Sequence, residues 1–296
     1  MSGKPEIVSI ESMQNILFHD IDGCLNTPDG RSLPFEPALL NTAQHQALRQ
    51  LGDALNHSDI DLMVLNTGRS IAASVFLAKI IDSPKLKYII AEHGAAGYAM
   101  DQSGHLDLVH LAQDIPHLKP VYTSLAQMPV LVNWYEKEGA KLLYRKINQN
   151  IGAAPKKANL TLRVPIGLCG DDMLKHLRDL IDAHAPVGGA DLVYHHSVSD
   201  GYIDVMSEVD KGDGVQLIRH LLSNRQNQTY AVGNGTNDMP MFRHVDVCIC
   251  PANADEPVFE YCKAKGFVSP HSFVDATLAL LVKVLPTAGS DLSITT

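Results

Sequence analysis

The sequence predicts an α/β fold with a parallel central sheet and an inserted α+β domain. Short apolar runs that stop abruptly at polar or glycine-rich residues recur in the first and last thirds of the 296-residue chain. Continuous apolar runs of this length are typical of strands buried on both faces of a parallel sheet. Amphipathic helical patterns separate these runs. The middle third instead contains a long amphipathic stretch and segments in which apolar and polar residues alternate. Together, these patterns predict one sheet domain interrupted by a second unit.

The elements of the sheet domain follow from these runs. Strands are predicted at 16–18, 62–65, 87–91, 230–232 and 245–249. Helices are predicted at about 36–56, 70–81, 212–223 and 271–284, where apolar residues recur at near-helical spacing. Strands that alternate with helices in this way favour parallel pairing.

The middle of the chain predicts an insertion. It contains a long amphipathic stretch at 121–138, alternating segments at 141–147 and 159–164, and a helix candidate at 171–183. We therefore expect a core domain formed by residues 1–99 and 201–286, an inserted domain at 100–200, and a loosely ordered tail at 287–296.

Composition excludes several classes of protein. The chain is 45% hydrophobic and 19% charged, with a formal net charge of -9. Nucleic-acid partners demand a basic surface, which this composition disfavours. No apolar run approaches the roughly 20 residues needed to span a bilayer, and no signal peptide is recognisable, so we expect a cytoplasmic protein without a membrane partner. The five cysteines lack framework spacing and are expected to be reduced.

The first apolar run ends in two carboxylates, Asp20 and Asp22. Residues i and i+2 of a strand share a face, so an extended backbone would point both acids the same way. Two like charges this close repel each other, and a cation or a shared proton is the usual remedy. An acidic turn that caps the next helix is the alternative, because Asp and Gly are common in turns.

Two further polar clusters favour a functional site. Residues 66–70 follow the second strand and residues 233–238 follow a later one. Ligands of open parallel sheets bind outside the carboxyl ends of the strands, so the three clusters converge on one edge. Lys211 begins a predicted helix, where a cation faces the positive end of the macrodipole at a cost of about 0.3–1 kcal/mol. A bound anion would reverse that cost, whereas a solvated loop lysine is the alternative.

Four segments, taken in chain order, resemble the four sequence motifs of the haloacid dehalogenase superfamily of phosphotransferases. They are Asp20-Ile21-Asp22-Gly23, Thr67-Gly68-Arg69, Lys211-Gly212 and Gly233-Asn234-Gly235-Thr236-Asn237-Asp238. The resemblance covers about residues 14–285 and implies a Rossmann-like core. The insertion is similar to the large α/β cap of the sugar-phosphate phosphatase branch. Segments 91–95, with His93 where Asn is usual, and 201–205, expected as the strand that returns to the core, also resemble that branch.

The resemblance implies roles for individual residues. Asp20 would attack phosphorus to form an aspartyl phosphate, and Asp22 would serve as general acid and then general base. A Mg²⁺ ion would neutralise the charges that otherwise repel. The residues implied in phosphate binding are Thr67, Gly68, Lys211 and Asn237, and those implied in metal binding are Asp20, Asp22, Asn234 and Asp238.

Three positions depart from the family pattern or vary within it. Asn234 stands where the family has an aspartate that binds metal, so metal affinity should fall; either Asn234 coordinates through its amide oxygen or Asp238 takes over. Cys24 stands where Thr is usual, and we expect the exchange to be tolerated. His19 is at a variable position, where packing or hydrogen bonding is favoured over proton transfer.

Candidates in the insertion are less specific. Arg145, Lys157 and Arg163 could contact an anionic substrate as the cap closes, although solvated surface positions are the commoner fate of such side chains. The fourteen histidines, including His195 and His196, show no recognisable ligand spacing.

The sequence therefore predicts a Mg²⁺-dependent phosphatase acting on a small phosphorylated metabolite, most plainly a sugar or polyol phosphate. A phosphomutase of the same superfamily is one alternative. A ligand-binding or regulatory protein with weakened catalysis is another, because Asn234 leaves the metal site one charge short.

Overall fold

A computed structural model of the chain describes residues 14–27, 29–30, 33–34, 39–101, 103–111, 159–163, 175, 193–197, 202–206, 209–222 and 227–283. Two sheets are present in these residues, one of eight strands and one of three.

The eight-stranded sheet is parallel except at one edge. Its strands are β1 (Gln14–His19), β2 (Leu62–Asn66), β3 (Leu86–Ala91), β4 (Ala96–Met100), β5 (Leu106–Leu111), β9 (Asn227–Val232), β10 (Val247–Cys250) and β11 (Phe267–Val268). They lie in the order β11-β10-β9-β1-β2-β3-β4-β5, and β4 and β5 pair antiparallel. The predicted α/β class and the five predicted strands are confirmed, whereas the antiparallel extension was not predicted.

Six α-helices accompany this sheet in the described residues. They are α1 (Thr42–His57), α2 (Ile71–Ile81), α3 (Lys211–Leu221), α4 (Met239–Phe242), α5 (Glu256–Lys265) and α6 (Phe273–Lys283). The caps explain where several begin: the side chains of Asn41, Ser70 and Asp210 accept hydrogen bonds from the first-turn amides of α1, α2 and α3. The first helix begins at residue 42 rather than 36 because Asn41 forms a reciprocal capping box with Gln44.

Helices cover both faces of the sheet, and β1 shows why its apolar run is continuous. Ile16 and Phe18 pack into one apolar cluster with α3, α4 and α5. Leu17, between them, packs into a second cluster with α1, α2 and α6. Each such side chain stabilises the fold by about 1.5–3 kcal/mol through burial. A strand buried on both faces leaves no exposed position for a polar residue before its end.

The smaller sheet is antiparallel throughout. Its strands are β6 (Asn159–Arg163), β7 (Val193–Ser197) and β8 (Tyr202–Met206), in the order β6-β8-β7. The prediction that residues 201–205 return to the core sheet is wrong, because β8 pairs with β6 and β7. The physical reason is the backbone: β8 pairs along its whole length with a strand on each side, so its ladder hydrogen bonds are made within the smaller sheet.

The expected domain limits are affected by this pairing. The large sheet continues past residue 99 to Leu111, and the small sheet includes residues up to Met206. The predicted segments 121–138 and 141–147 lie outside the described residues, as does all of 171–183 except helical Lys175. Among the described residues, no helix has the length and apolar character needed to cross a membrane.

Candidate active site

Strand register brings the predicted clusters to one edge of the large sheet. His19, the last residue of β1, is paired with Leu65 of β2 on one side and Val232 of β9 on the other. The residues that follow these three strands therefore leave the sheet at the same level. Asp20 is tied to this edge by its amide, which donates to the carbonyl of Val232 at 3.0 Å.

A buried lysine lies between two buried carboxylates at this edge. The ammonium of Lys211 is 2.8 Å from Oδ1 of Asp20 and 2.6 Å from Oδ1 of Asp238. All three side chains are almost completely buried. The arrangement explains the position of Lys211 at the start of α3, because the two acids offset the unfavourable helix dipole. Asp210 further offsets it as the helix N-cap.

The second oxygen of Asp238 holds the loop in which the residue lies. Oδ2 accepts hydrogen bonds from the amides of Asn234, at 2.8 Å, and Gly235, at 3.0 Å. Gly233 allows this close approach, since a Cβ there would lie 2.5 Å from Cγ of Asp238. Both oxygens of Asp238 are thus satisfied within the protein.

The electrostatics of the cluster favour a proton on the nucleophile candidate. Burial raises the pKa of Asp20 to about 7, with Asp238 adding to the rise and Lys211 opposing it. Burial alone would lower the pKa of Lys211, but Asp20 and Asp238 together raise it. Lys211 therefore stays charged, and Asp20 titrates near neutrality because burial and the charge of Asp238 together outweigh the ammonium.

Asp22 is held by a two-pronged contact with Arg69. Nε of Arg69 donates to Oδ2 of Asp22 at 2.9 Å, and Nη2 donates to Oδ1 at 2.6 Å. The guanidinium also donates to the carbonyls of Leu33 and Pro34. Arg69 is buried, whereas Asp22 is 42% exposed by its side chain. The carboxylate thus projects from a fixed anchor toward solvent, and the anchor binds its ionised form.

The loop after β2 is fixed by a tight turn after β3. The amide of Glu92 donates to the carbonyl of Arg69, and that of His93 donates to the carbonyl of Thr67, both at 3.0 Å. Glu92 and His93 have φ values of 56° and 59°. The left-handed conformation costs a non-glycine residue about 1–2 kcal/mol, so the contacts with the loop must offset that strain. The amide of Arg69 donates to Oγ1 of Thr67, which leaves the Thr67 hydroxyl proton able to reach an anion.

His19 acts as a buried connector between β1 and α6. Nδ1 contacts the carbonyl of Asp20, and Nε2 is 2.7 Å from Oγ1 of Thr277. A carbonyl only accepts, so Nδ1 carries the proton and Nε2 accepts from the threonine hydroxyl. Burial lowers the pKa of His19 to about 4, which keeps the ring neutral near pH 7. The packing and hydrogen-bonding role expected for His19 matches this geometry.

Asn234 and Cys24, the two residues that depart from the family pattern, contact each other. The Cys24 thiol lies 3.4 Å from Oδ1 of Asn234, and a Cβ at Gly23 would lie 2.2 Å from Nδ2 of Asn234. Burial raises the pKa of Cys24 well above its usual range, so the thiol is neutral near pH 7. The Asn234 side chain therefore packs directly on the loop that follows Asp20.

The oxygen donors at this edge fit a hard cation. Among the described residues, no three His, Cys, Asp or Glu side chains converge as a metal site. Carboxylate, carbonyl and amide oxygens such as those of Asp20, Asp22 and Asn234 are the ligands that Mg²⁺ prefers, and Mg²⁺ needs only one or two carboxylates when it also binds substrate phosphate. Both carboxylate oxygens of Asp238 accept hydrogen bonds within the protein.

The structure describes the other predicted site residues only in part. Asn237 is half-buried in a 3₁₀ turn, and its Oδ1 would lie 2.5 Å from a Cβ at Gly235. Arg145 and Lys157 lie outside the described residues, and only the backbone of Arg163, in β6, is described. Cys248, Cys250 and Cys262 are free thiols buried in the core, as expected of reduced cysteines.

Three structural contributors were not predicted from the sequence. Arg69 was named only as part of a motif, and its pairing with Asp22 depends on the adjacency of β1 and β2. Asn66 is buried, and its Nδ2 donates to the carbonyl of Lys211 at 2.8 Å. Asn253 joins the carbonyl of Gly23 to the amide of Phe273. An isolated asparagine carries no sequence signal for such contacts.

Comparison with known proteins matches part of the chain to a family. Residues 171–271, which include Lys211 and the 233–238 loop, match the family of haloacid dehalogenase-like hydrolases. This match agrees with the predicted family and its hydrolase class. A search of curated protein sequences found no match.

Solved structures extend this likeness to most of the chain. A protein from Thermoplasma acidophilum superposes with a TM-score of 0.59 at 17% identity, covering 92% of this chain and 98% of the other. The sucrose-phosphatase of Synechocystis sp. PCC6803, solved with sucrose and phosphate, gives 0.55 at 17% identity over the same shares. A subclass IIB sugar phosphatase of the superfamily gives 0.54 at 15% identity, covering 90% and 98%. At these identities the likeness concerns the fold.

Proposed function

We propose that this protein is a phosphatase that hydrolyses a small phosphorylated metabolite, most plainly a sugar or polyol phosphate. The observation that carries the proposal is the arrangement of Asp20, held by Lys211, beside the loop of Thr67 at the carboxyl edge of a haloacid dehalogenase-like sheet. The sucrose-phosphatase and sugar phosphatase among the similar folds support the substrate class.

The proposed reaction has two steps, formation and hydrolysis of an aspartyl phosphate. An oxygen of Asp20 bonds to phosphorus while the bond from phosphorus to the substrate oxygen breaks, and Asp22 gives its proton to the departing alkoxide. A water molecule then attacks the aspartyl phosphate, loses its proton to Asp22, and releases phosphate with Asp20 restored. Lys211 and the Thr67–Gly68 loop would bind the phosphoryl oxygens.

The contact between Asp22 and Arg69 suits one of these steps better than the other. Arg69 binds the ionised carboxylate, which is the form that accepts a proton from water in the second step. Before the first step Asp22 must carry a proton, so the contact with Arg69 has to loosen at that stage. The exposure of Asp22 gives the side chain room to do so.

Mg²⁺ is the proposed cofactor, held by Asp20, the Asp22 carbonyl and Asn234, with direct coordination by Asp238 as the alternative. When bound, it would lower the pKa of Asp20 and offset the repulsion between the carboxylate and the phosphoryl group. Arg145, Lys157 and Arg163 are proposed to contact the rest of the substrate. A cytoplasmic location, the division into a core and a substrate-determining cap, and the phosphate-binding role of Asn237 are further parts of the proposal.

A panel of sugar and polyol phosphates, assayed for released phosphate with Mg²⁺, tests the proposal. The matched control is Asp20→Asn, which keeps the side-chain shape and removes the nucleophile. We expect wild-type turnover on at least one substrate and a loss of about 10⁴-fold or more in the variant. Isomerised sugar phosphate without free phosphate would indicate a mutase. Saturable binding without turnover would indicate a regulatory protein.

A further inference from the structure

A left-handed turn between β3 and β4 lies between two parts of the proposed phosphate site. Glu92, His93 and Gly94 have φ values of 56°, 59° and 104°. Three consecutive residues in this region are unusual, and strain of this kind persists only where surrounding contacts enforce it. Glu92 and His93 are also buried, so the turn is packed on all sides.

On one side the turn contacts the loop after β2. The amides of Glu92 and His93 donate to the carbonyls of Arg69 and Thr67. The imidazole of His93 lies against Gly68: a Cβ at that glycine would be 2.3 Å from Nε2 and 2.4 Å from Cε1 of the ring. The ring thus occupies the volume that any side chain at position 68 would need.

On the other side the turn contacts the start of α3. A Cβ at Gly94 would lie 1.9 Å from the carbonyl oxygen of Asp210, the residue that caps the helix and precedes Lys211. The backbones are in close contact at this point, and only glycine permits both the approach and the φ of 104°. The same turn therefore contacts both Gly68 and the residue before Lys211.

We propose that the 92–94 turn is a spacer that sets the distance between the Thr67–Gly68 loop and Lys211, and that His93 is the positioning residue through which it fixes Gly68. The inference rests on the proposed function, because Thr67, Gly68 and Lys211 come from different elements and must reach the oxygens of one phosphoryl group. His93 does not contact the reacting atoms in this proposal. Its ring fills the space behind Gly68, so that the Thr67–Gly68 loop cannot move away from the phosphate site.

The test uses inorganic phosphate as a probe, with binding measured by calorimetry in the presence of Mg²⁺. His93→Asn keeps a residue that tolerates the left-handed conformation and removes most of the ring volume. We expect it to weaken phosphate binding about 10-fold, as displacement of a binding group by a fraction of an ångström can do. KM should rise more than kcat falls. His105→Asn, the same exchange at an exposed turn, should change neither value.

A double-mutant cycle with Gly68→Ala makes the test specific for this contact. Alone, Gly68→Ala places a methyl group inside the ring of His93 and should weaken phosphate binding about 100-fold. In the His93→Asn background the methyl has room, so the additional loss should shrink to about 3-fold or less. His93→Gly, which also relieves the strained φ, serves if His93→Asn does not fold.

Two results would overturn the inference: phosphate affinity of His93→Asn within about twofold of wild type, or an equal effect of Gly68→Ala in both backgrounds. A drop in the free energy of unfolding without a change in phosphate affinity would also assign His93 a purely structural role. If no sugar phosphate is hydrolysed but the phosphate-binding cycle behaves as expected, the proposed function fails and the spacer stands. Normal turnover without coupling between the two positions refutes the spacer alone.

Discussion

Lys211→Met is the sharpest test of the electrostatics at the sheet edge. The substitution keeps the length and apolar stem of the side chain and removes the ammonium that contacts Asp20 and Asp238. Both carboxylates are buried, so each would be left without its cationic partner. Removing one member of a buried ion pair costs about 3–5 kcal/mol, which is a large part of the 5–15 kcal/mol that stabilises a typical domain.

The cost should depend on pH in a defined direction. In the wild type the pKa of Asp20 is already raised to about 7, and loss of the ammonium removes the contribution that opposes the rise. A carboxyl whose folded pKa lies above its unfolded value supports the fold below the unfolded pKa and loses that support as pH rises through the folded pKa. The free energy of unfolding of the variant should therefore be about 3–5 kcal/mol below that of the wild type at pH 8. The difference should be clearly smaller at pH 5, where protonation can neutralise the acids.

Urea unfolding at both pH values, without Mg²⁺ or phosphate, measures this difference. Lys87→Met, at an exposed position of β3, is the matched control and should stay within about 0.5 kcal/mol of wild type. Adding Asp238→Asn to Lys211→Met removes one unpaired charge and should recover part of the loss. If Lys211→Met lowers the free energy of unfolding by less than about 1 kcal/mol at pH 8, or by the same amount at pH 5 and pH 8, the reasoning about the buried charges of Lys211, Asp20 and Asp238 is refuted.

Three further substitutions test other parts of the site. Asn234→Asp should tighten Mg²⁺ binding about 10-fold by adding one ligand charge, measured by calorimetry without substrate; unchanged affinity would remove the residue from the coordination sphere. His19→Gln should abolish a pH-dependent loss of stability. Because the pKa of His19 falls from 6.5 to about 4 on folding, the free energy of unfolding of the wild type should fall by about 3 kcal/mol more than that of the variant as pH falls from 6.5 to 4. Equal changes in the free energy of unfolding with pH would contradict a buried neutral ring. Arg69→Lys cannot reproduce the two-pronged contact with Asp22, so kcat should fall about 10-fold while phosphate affinity holds; a change in affinity alone would assign Arg69 to binding.

The strands at the centre of the sheet could be predicted because both of their faces are buried. Such strands must be apolar from end to end, and their ends are visible as abrupt changes to polar residues. For the same reason the sequence alone predicts the edge that carries Asp20, Thr67 and Asp238, which follow β1, β2 and β9. The parallel pairing of these strands then fixes the proximity of the three residues.

The elements that could not be predicted depend on tertiary pairing. β4 and β5 extend the large sheet antiparallel, and nothing in their own residues specifies that partner. The resemblance of 201–205 to a family segment implies a strand that returns to the core, whereas β8 finds both of its partners, β6 and β7, in the smaller sheet. α5 carries Pro257 in its first turn and lysines in its last, a helix signal that does not depend on apolar periodicity.

The charges at the sheet edge explain why three acids can be gathered there at all. With all three carboxylates of Asp20, Asp22 and Asp238 ionised, Lys211 and Arg69 supply two positive charges against three negative ones, so the protein alone leaves the cluster one charge negative. Burial and the charge of Asp238 raise the pKa of Asp20 against the opposing charge of Lys211, and a phosphorylated substrate would add further negative charge. An aspartate at position 234 would deepen the deficit in the absence of metal, whereas Asn234 offers a neutral oxygen and limits it. The same exchange that weakens the proposed metal site therefore lowers the electrostatic cost of folding without the metal.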